Sequence, residues 1–280
     1  MSAIGSDGFA ARYRAAVAQR GRLCAGVDPH PELLERWGLP VSADGVARFG
    51  DLCVEGLGPV AAVIKPQVAF FEPFGAAGFA ALERVITGCR EAGALVLADA
   101  KRGDIGSTMA AYARAWLTDD SPLGSDAVTA SPFLGFGSLT PAVTAARESS
   151  RAVIVLARTS NPEGGTVQLA VGDRGSVGQS IVDEAAAVNA DGRGTVGVVV
   201  GATRAHGLDL RGLGGVVLAP GMGAQGATAA DLAEVFAEAD QDWLLPASSR
   251  DILGAGPDPA ALATACGRTR DDVESALAPL

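Results

Sequence analysis

The sequence predicts a (β/α)8 barrel, and three observations carry that prediction. Eight apolar, β-rich runs recur along the 280 residues, at 23–28, 61–65, 95–99, 126–129, 152–157, 195–200, 215–219 and 243–246. Between them lie stretches of helical composition, as at 75–92, 106–118 and 228–239. Runs such as Val153-Ile-Val-Leu-Ala157 and Val196-Gly-Val-Val-Val200 are apolar on both faces, which suits parallel strands covered by helices. Strand–helix alternation over about 250 residues is the plan of such a barrel. A doubly wound open sheet is the alternative architecture. No Gly/Ser/Pro linker divides the chain, so a single domain spanning 1–280 is expected.

Several runs end in polar residues. The first ends at Asp28 before Pro29, the second at Lys65 and the third at Asp99. The Gly-rich piece 161–178 reads as a long βα loop, a usual place for binding residues. The tail from 258 to 280, entered through Pro257-Asp258-Pro259, reads as a closing helix or two. The N-terminal stretch has no apolar signal core, and no run approaches the length of a membrane span. A soluble, cytoplasmic protein without a membrane partner is expected.

Composition narrows the function classes. With 48% hydrophobic and 19% charged residues the chain has material for a large core. The formal net charge of −10 argues against nucleic acid, whose binding neutralises many phosphates. A small phosphorylated ligand needs only a local positive pocket. The cysteines, Cys24, Cys53, Cys89 and Cys266, form no CxxC pair, and the histidines are His30 and His206. Reduced thiols and no zinc or other metal site are therefore expected, and His30 reads as a loop residue.

The most informative segment is Leu95-Val-Leu-Ala-Asp99-Ala-Lys101-Arg-Gly-Asp104-Ile-Gly-Ser-Thr108. Side chains alternate along a strand, so Leu95, Leu97, Asp99 and Lys101 are expected on one face. An apolar layer below two opposite charges suits the inner wall of a barrel near its C-terminal mouth. A carboxylate beside an ammonium favours its charged form, ready to act as an acid. The same residues also fit a structural ion pair, with Asp104 or Ser107 capping the next helix.

From Ala98 to Thr108 the segment resembles the signature of orotidine 5′-phosphate decarboxylases, in their longer bacterial subgroup. Leu23-Cys-Ala-Gly-Val-Asp28-Pro29 resembles the first strand of that family, and Val63-Ile-Lys65-Pro-Gln67 its second. Asn161 and its neighbours, Ala219-Pro-Gly-Met-Gly-Ala-Gln225-Gly226, and Ser248-Ser249-Arg250 resemble its later ligand loops. The resemblance runs in order along nearly the whole chain.

The resemblance implies a cofactor-free decarboxylation of orotidine 5′-phosphate to UMP, carried by an alternating array of Lys65, Asp99, Lys101 and Asp104. It makes Lys101 the acid that protonates C6 of the pyrimidine. It sets Asp99 beside the departing carboxylate, and Lys65 against both of them and the ribose. Asp28 would bind ribose hydroxyls; its other reading is a cap on the turn at Pro29. Asp104 and Thr108 would come from the neighbouring subunit of a homodimer. Gln225, Ser249 and Arg250 would hold phosphate, in agreement with the common phosphate site after strands seven and eight of such barrels. The guanidinium of Arg250 suits phosphate oxygens. Ser160 would read the base, with Asn161 as the alternative. Ser131-Pro-Phe-Leu-Gly135 resembles a subgroup feature without a derived role. Two rivals share parts of this pattern. One is a related metal-dependent sugar-phosphate decarboxylase, which has an acidic residue on strand two where this chain has Lys65. The other is a non-catalytic nucleotide-binding barrel.

Overall fold

The structure is a computed structural model that describes residues 8–203, 205–223 and 226–278. Eight strands form a closed barrel in which every neighbouring pair is parallel. They are β1 (Cys24–Val27), β2 (Val63–Pro66), β3 (Leu95–Arg102), β4 (Ala127–Ala130), β5 (Ala152–Arg158), β6 (Val196–Val200), β7 (Val217–Pro220) and β8 (Leu244–Ser248). The barrel closes where Cys24 and Ala25 of β1 face Ala247 and Ser248 of β8. All eight expected runs are strands, and the open-sheet alternative is excluded by this closure.

Alternation along the strands separates two apolar clusters. Cys24, Val63, Leu95, Leu97, Ile154, Leu218 and Leu245 point inward and fill the barrel. Ala25, Ile64, Val96, Ala98, Val153 and Val198 point outward, beneath the helices. The helix Ala43–Leu57 shows how that cover is built. Ser42 accepts a hydrogen bond from the Gly45 N–H at its start, and Val46, Phe49, Cys53 and Leu57 recur on one buried face. Helices at Gly75–Glu91 and Gly106–Leu117 match the expected stretches closely, whereas the third is shorter, Ala229–Val235. The tail is one helix, Pro259–Ala276, whose Ala260 N–H is held by the Asp258 side chain. The piece 161–178 holds a short helix, Gly165–Gln168, and a small hairpin pairing Val171–Gly172 with Gly175–Ser176.

One element was not expected. The helix Gly8–Arg20 lies across the N-terminal end of the barrel. Its Phe9, Ala10 and Tyr13 join the inward cluster, and Tyr13 stacks on Trp243 with ring centroids 5.5 Å apart. Arg12 pairs with Asp126, which also accepts the Val96 N–H at 2.8 Å. This end is thus plugged by side chains, and the C-terminal end is left for polar residues. Among the described residues no helix is long and apolar enough to cross a membrane.

Candidate active site

A cavity of about 390 Å³ opens at the C-terminal end of the barrel. Three adjacent strands bring charge to its floor. Asp28 stands just past β1, Lys65 in β2, and Asp99 and Lys101 in β3. Lys65 Nζ is 3.1 Å from Asp99 Oδ2 and 4.0 Å from Asp28 Oδ1. Lys101 Nζ is 2.5 Å from Asp99 Oδ1. Asp99 therefore sits between two ammonium groups, the arrangement that the family resemblance implies.

The electrostatics follow from this geometry. Burial pushes the Lys65 ammonium down, but Asp99 and Asp28 outweigh it and hold its pKa above the usual lysine range. Burial alone would raise the Asp99 carboxyl. Lys65, Lys101 and the Thr129 hydroxyl outweigh it and hold Asp99 well below the usual carboxylate range. The array is thus an ionised network in which each buried charge has a partner.

The expected alternation along β3 holds through Asp99 and then breaks. Ala98 faces Val128, but Arg102 faces Ala130, so β3 carries two more residues than β4 over this stretch. Within that bulge Lys101 adopts φ +48°, the left-handed region that non-glycine residues avoid. Lys101 reaches Asp99 from a bulge, not from the regular face of a strand. Neither Asp104 nor Ser107 is the N-cap of the next helix: that position is held by Ile105, whose side chain makes no capping bond. Asp104 instead accepts the Ile105 N–H at 2.7 Å. Neither Asp104 nor Thr108 lines the cavity of its own chain, and Thr108 is exposed.

The later loops complete the wall. Ser160 and Asn161 line the cavity after β5, as do Ser249 and Arg250 after β8. The Ser249 hydroxyl donates to Asp28 Oδ2 across the β8–β1 closure. Gly26 makes room for this contact, since a Cβ there would lie 2.1 Å from Ser249 Oγ. Asp28 Oδ1 is buried without a hydrogen-bond partner among the described residues, so its side chain does not cap the turn at Pro29. Gly221 and Met222 line the cavity after β7, with Gly221 at φ +117° and Gly223 at φ +74°. Gln225 lies outside the described residues.

Sequence reasoning gave no site role to four cavity residues, His30, Gln67, Phe70 and Thr159. His30 is not a free loop residue: it lines the cavity and packs on Phe70 with ring centroids 4.0 Å apart. Gln67 extends the β2–β3 pairing by a backbone bridge to Asp99 and lines the cavity, as does Thr159. Gln67 was within reach, because it follows Lys65 at the strand period. The His30–Phe70 pair joins two loops and leaves no such signal.

The family model of the orotidine 5′-phosphate decarboxylase / HUMPS family matches residues 21–266. A curated orotidine 5′-phosphate decarboxylase from Salinispora arenicola is 54% identical over 97% of this chain and 99% of its own length. The chain belongs to the orotidine 5′-phosphate decarboxylase / HUMPS family. A crystal structure described as a candidate orotidine 5′-phosphate decarboxylase from Streptomyces avermitilis superposes with a TM-score of 0.95. It is 50% identical, and the match covers 100% of this chain and 99% of that one. The OMP decarboxylase of Leishmania donovani is 30% identical with a TM-score of 0.75, covering 96% and 99%. The span matched to the decarboxylase / HUMPS family contains all eight strands and every charged residue of the cavity floor. It leaves out the plugging helix Gly8–Arg20.

Proposed function

We propose that this chain decarboxylates orotidine 5′-phosphate to UMP, without a cofactor, with Lys101 as the proton donor. The observation that carries the reading is the Lys65–Asp99–Lys101 array, paired at 3.1 and 2.5 Å at the floor of the cavity. The high identity to the Salinispora decarboxylase along nearly the whole chain supports the same substrate.

The chemistry suits the array. Breaking the C6–carboxylate bond leaves its electron pair on C6, in the plane of the ring, where no adjacent carbonyl delocalises it. An ammonium fixed beside that carbon stabilises the developing charge and then transfers its proton to C6. Lys101 Nζ is the group on the open side of the array, with its side chain 45% exposed, while Lys65 is 10% exposed. Asp99, held ionised, fixes both ammonium groups before substrate arrives, so little reorganisation accompanies reaction. Asp28, whose Oδ1 has no hydrogen-bond partner among the described residues, suits ribose hydroxyls. Arg250, Ser249 and the loop that includes Gln225 would hold the phosphate, and Ser160 or Asn161 the base. Phosphate binding far from C6 then supplies energy for orienting the base.

The reading includes a homodimer. Asp104 and Thr108 stand outside the cavity of their own chain, so they would serve a partner's site. Apolar surface beside them supports this. Ile105 is 62% exposed and Phe133 78%, and Gly103 packs against the Ser131 backbone that leads to Phe133.

The test is loss of absorbance as orotidine 5′-phosphate becomes UMP, in EDTA, for the wild type and Lys101→Ala. Turnover abolished by the substitution supports the reading. A folded wild type that does not turn over removes it, and turnover that depends on added metal ions removes its cofactor-free part.

A further inference from the structure

Resting on the decarboxylase reading, we propose that Thr129 of β4 is a positioning residue: its hydroxyl clamps the β3 bulge and so sets where the Lys101 ammonium stands. Thr129 is 1% exposed and does not line the cavity, so it acts only through its neighbours. Its Oγ1 makes two hydrogen bonds. It accepts the Lys101 backbone N–H at 2.9 Å and donates to Asp99 Oδ1 at 2.8 Å. One oxygen therefore holds the backbone from which the lysine springs and the carboxylate that its ammonium touches.

The register explains why a side chain is needed there. Between Ala98 and Arg102, β3 advances four residues while β4 advances two, from Val128 to Ala130. The Lys101 N–H is displaced from the regular ladder, at φ +48°. A buried N–H without a partner is unfavourable, and a non-glycine residue in the left-handed region persists only where its surroundings over-determine it. Thr129 meets both needs. Lysine is long and flexible, so without this anchor its ammonium would sample several positions and lose its alignment with C6.

Thr129→Val keeps the branched shape and removes only the hydroxyl. It is expected to lower kcat by about 10²-fold, the scale of a 1 Å misplacement, with KM within about twofold. Thr129→Ser restores the hydroxyl and most of kcat. Thr129→Ala is the second variant should the valine form not fold, and carries the same expectation. Amide hydrogen exchange reads the clamp directly. Exchange at Lys101 is expected to quicken by about tenfold in Thr129→Val, with the Val96 amide unchanged. A folded Thr129→Val with wild-type kcat overturns the positioning role, as does unchanged exchange at Lys101. Equal losses in the valine and serine forms, with KM rising alongside, also overturn it. A folded wild type without turnover overturns the decarboxylase reading itself, which the same assay separates from failure of Thr129 alone.

Discussion

Lys65 Nζ lies between two carboxylates, 3.1 Å from Asp99 Oδ2 and 4.0 Å from Asp28 Oδ1, on three neighbouring strand ends. Its side chain is 10% exposed, against 9% for Asp99 and 15% for Asp28. Three charges are thus withdrawn from water together, and each depends on the others. A closed parallel barrel produces this arrangement because it places successive strand ends side by side around one opening.

This network predicts a stability plateau with two edges. The Asp99 carboxyl is held below its usual value, so the unfolded chain binds its proton first as pH falls. Its contribution is present above about pH 4 and lost as the pH falls toward the depressed folded value. The Lys65 ammonium is held above its usual value. Its contribution is present below about pH 10.4 and is lost as the pH climbs toward the raised folded value. Urea midpoints measured across pH should show both edges, and Asp99→Asn should flatten the acid one. An acid edge of equal slope in that variant would sink the assignment.

Lys65→Met should destabilise the fold by about 3 kcal/mol, because Asp28 and Asp99 then face each other with the central cation gone. Adding Asp28→Asn should recover part of that loss. Chemical denaturation of the single and double variants checks this, and strictly additive losses would speak against a coupled network.

If Asp104 serves the neighbouring subunit, two inactive chains complement each other. Mixing Lys101→Ala with Asp104→Ala should restore turnover, since one hybrid site in each mixed dimer then carries both groups. Verified subunit exchange with no recovered activity is the result against a shared site.

Gly26→Ala should weaken substrate binding. The added Cβ would lie 2.1 Å from Ser249 Oγ and 3.4 Å from Asp28 Oδ1, so the bond between those two side chains must break. KM is expected to rise by about tenfold, equivalent to the loss of one charge-assisted hydrogen bond. Steady-state kinetics with an unchanged KM would show that the Asp28–Ser249 contact does not matter for binding.

At the opposite end of the barrel, Tyr13 is fully buried against Trp243. Tyr13→Ala should cost about 3–5 kcal/mol, as for other large aromatic truncations, while kcat at room temperature stays near wild type. A thermal melt and an activity assay on the same sample check both halves. A fall in kcat without a fall in stability would mean that the plug communicates with the site.

The sequence by itself determined the barrel and most of the residues that line its cavity. Parallel strands buried on both faces must be apolar throughout, so all eight runs stood out. Asp28, Lys65, Asp99, Ser160, Ser249 and Arg250, named from the strand ends and from the family resemblance, all line the cavity, because barrel cavities are walled by strand ends and the loops that follow them. Tertiary structure alone decided the rest. The helix Gly8–Arg20 buries Phe9 and Tyr13 only because an open barrel end awaits it, and its own composition is too mixed to announce this. The pairing of His30 with Phe70 joins loops 40 residues apart in the chain. The left-handed turn at Lys101 and its clamp by Thr129 come from a mismatch in register between β3 and β4. Period-2 alternation describes one strand, whereas register is a relation between two strands, set when the barrel closes around its core.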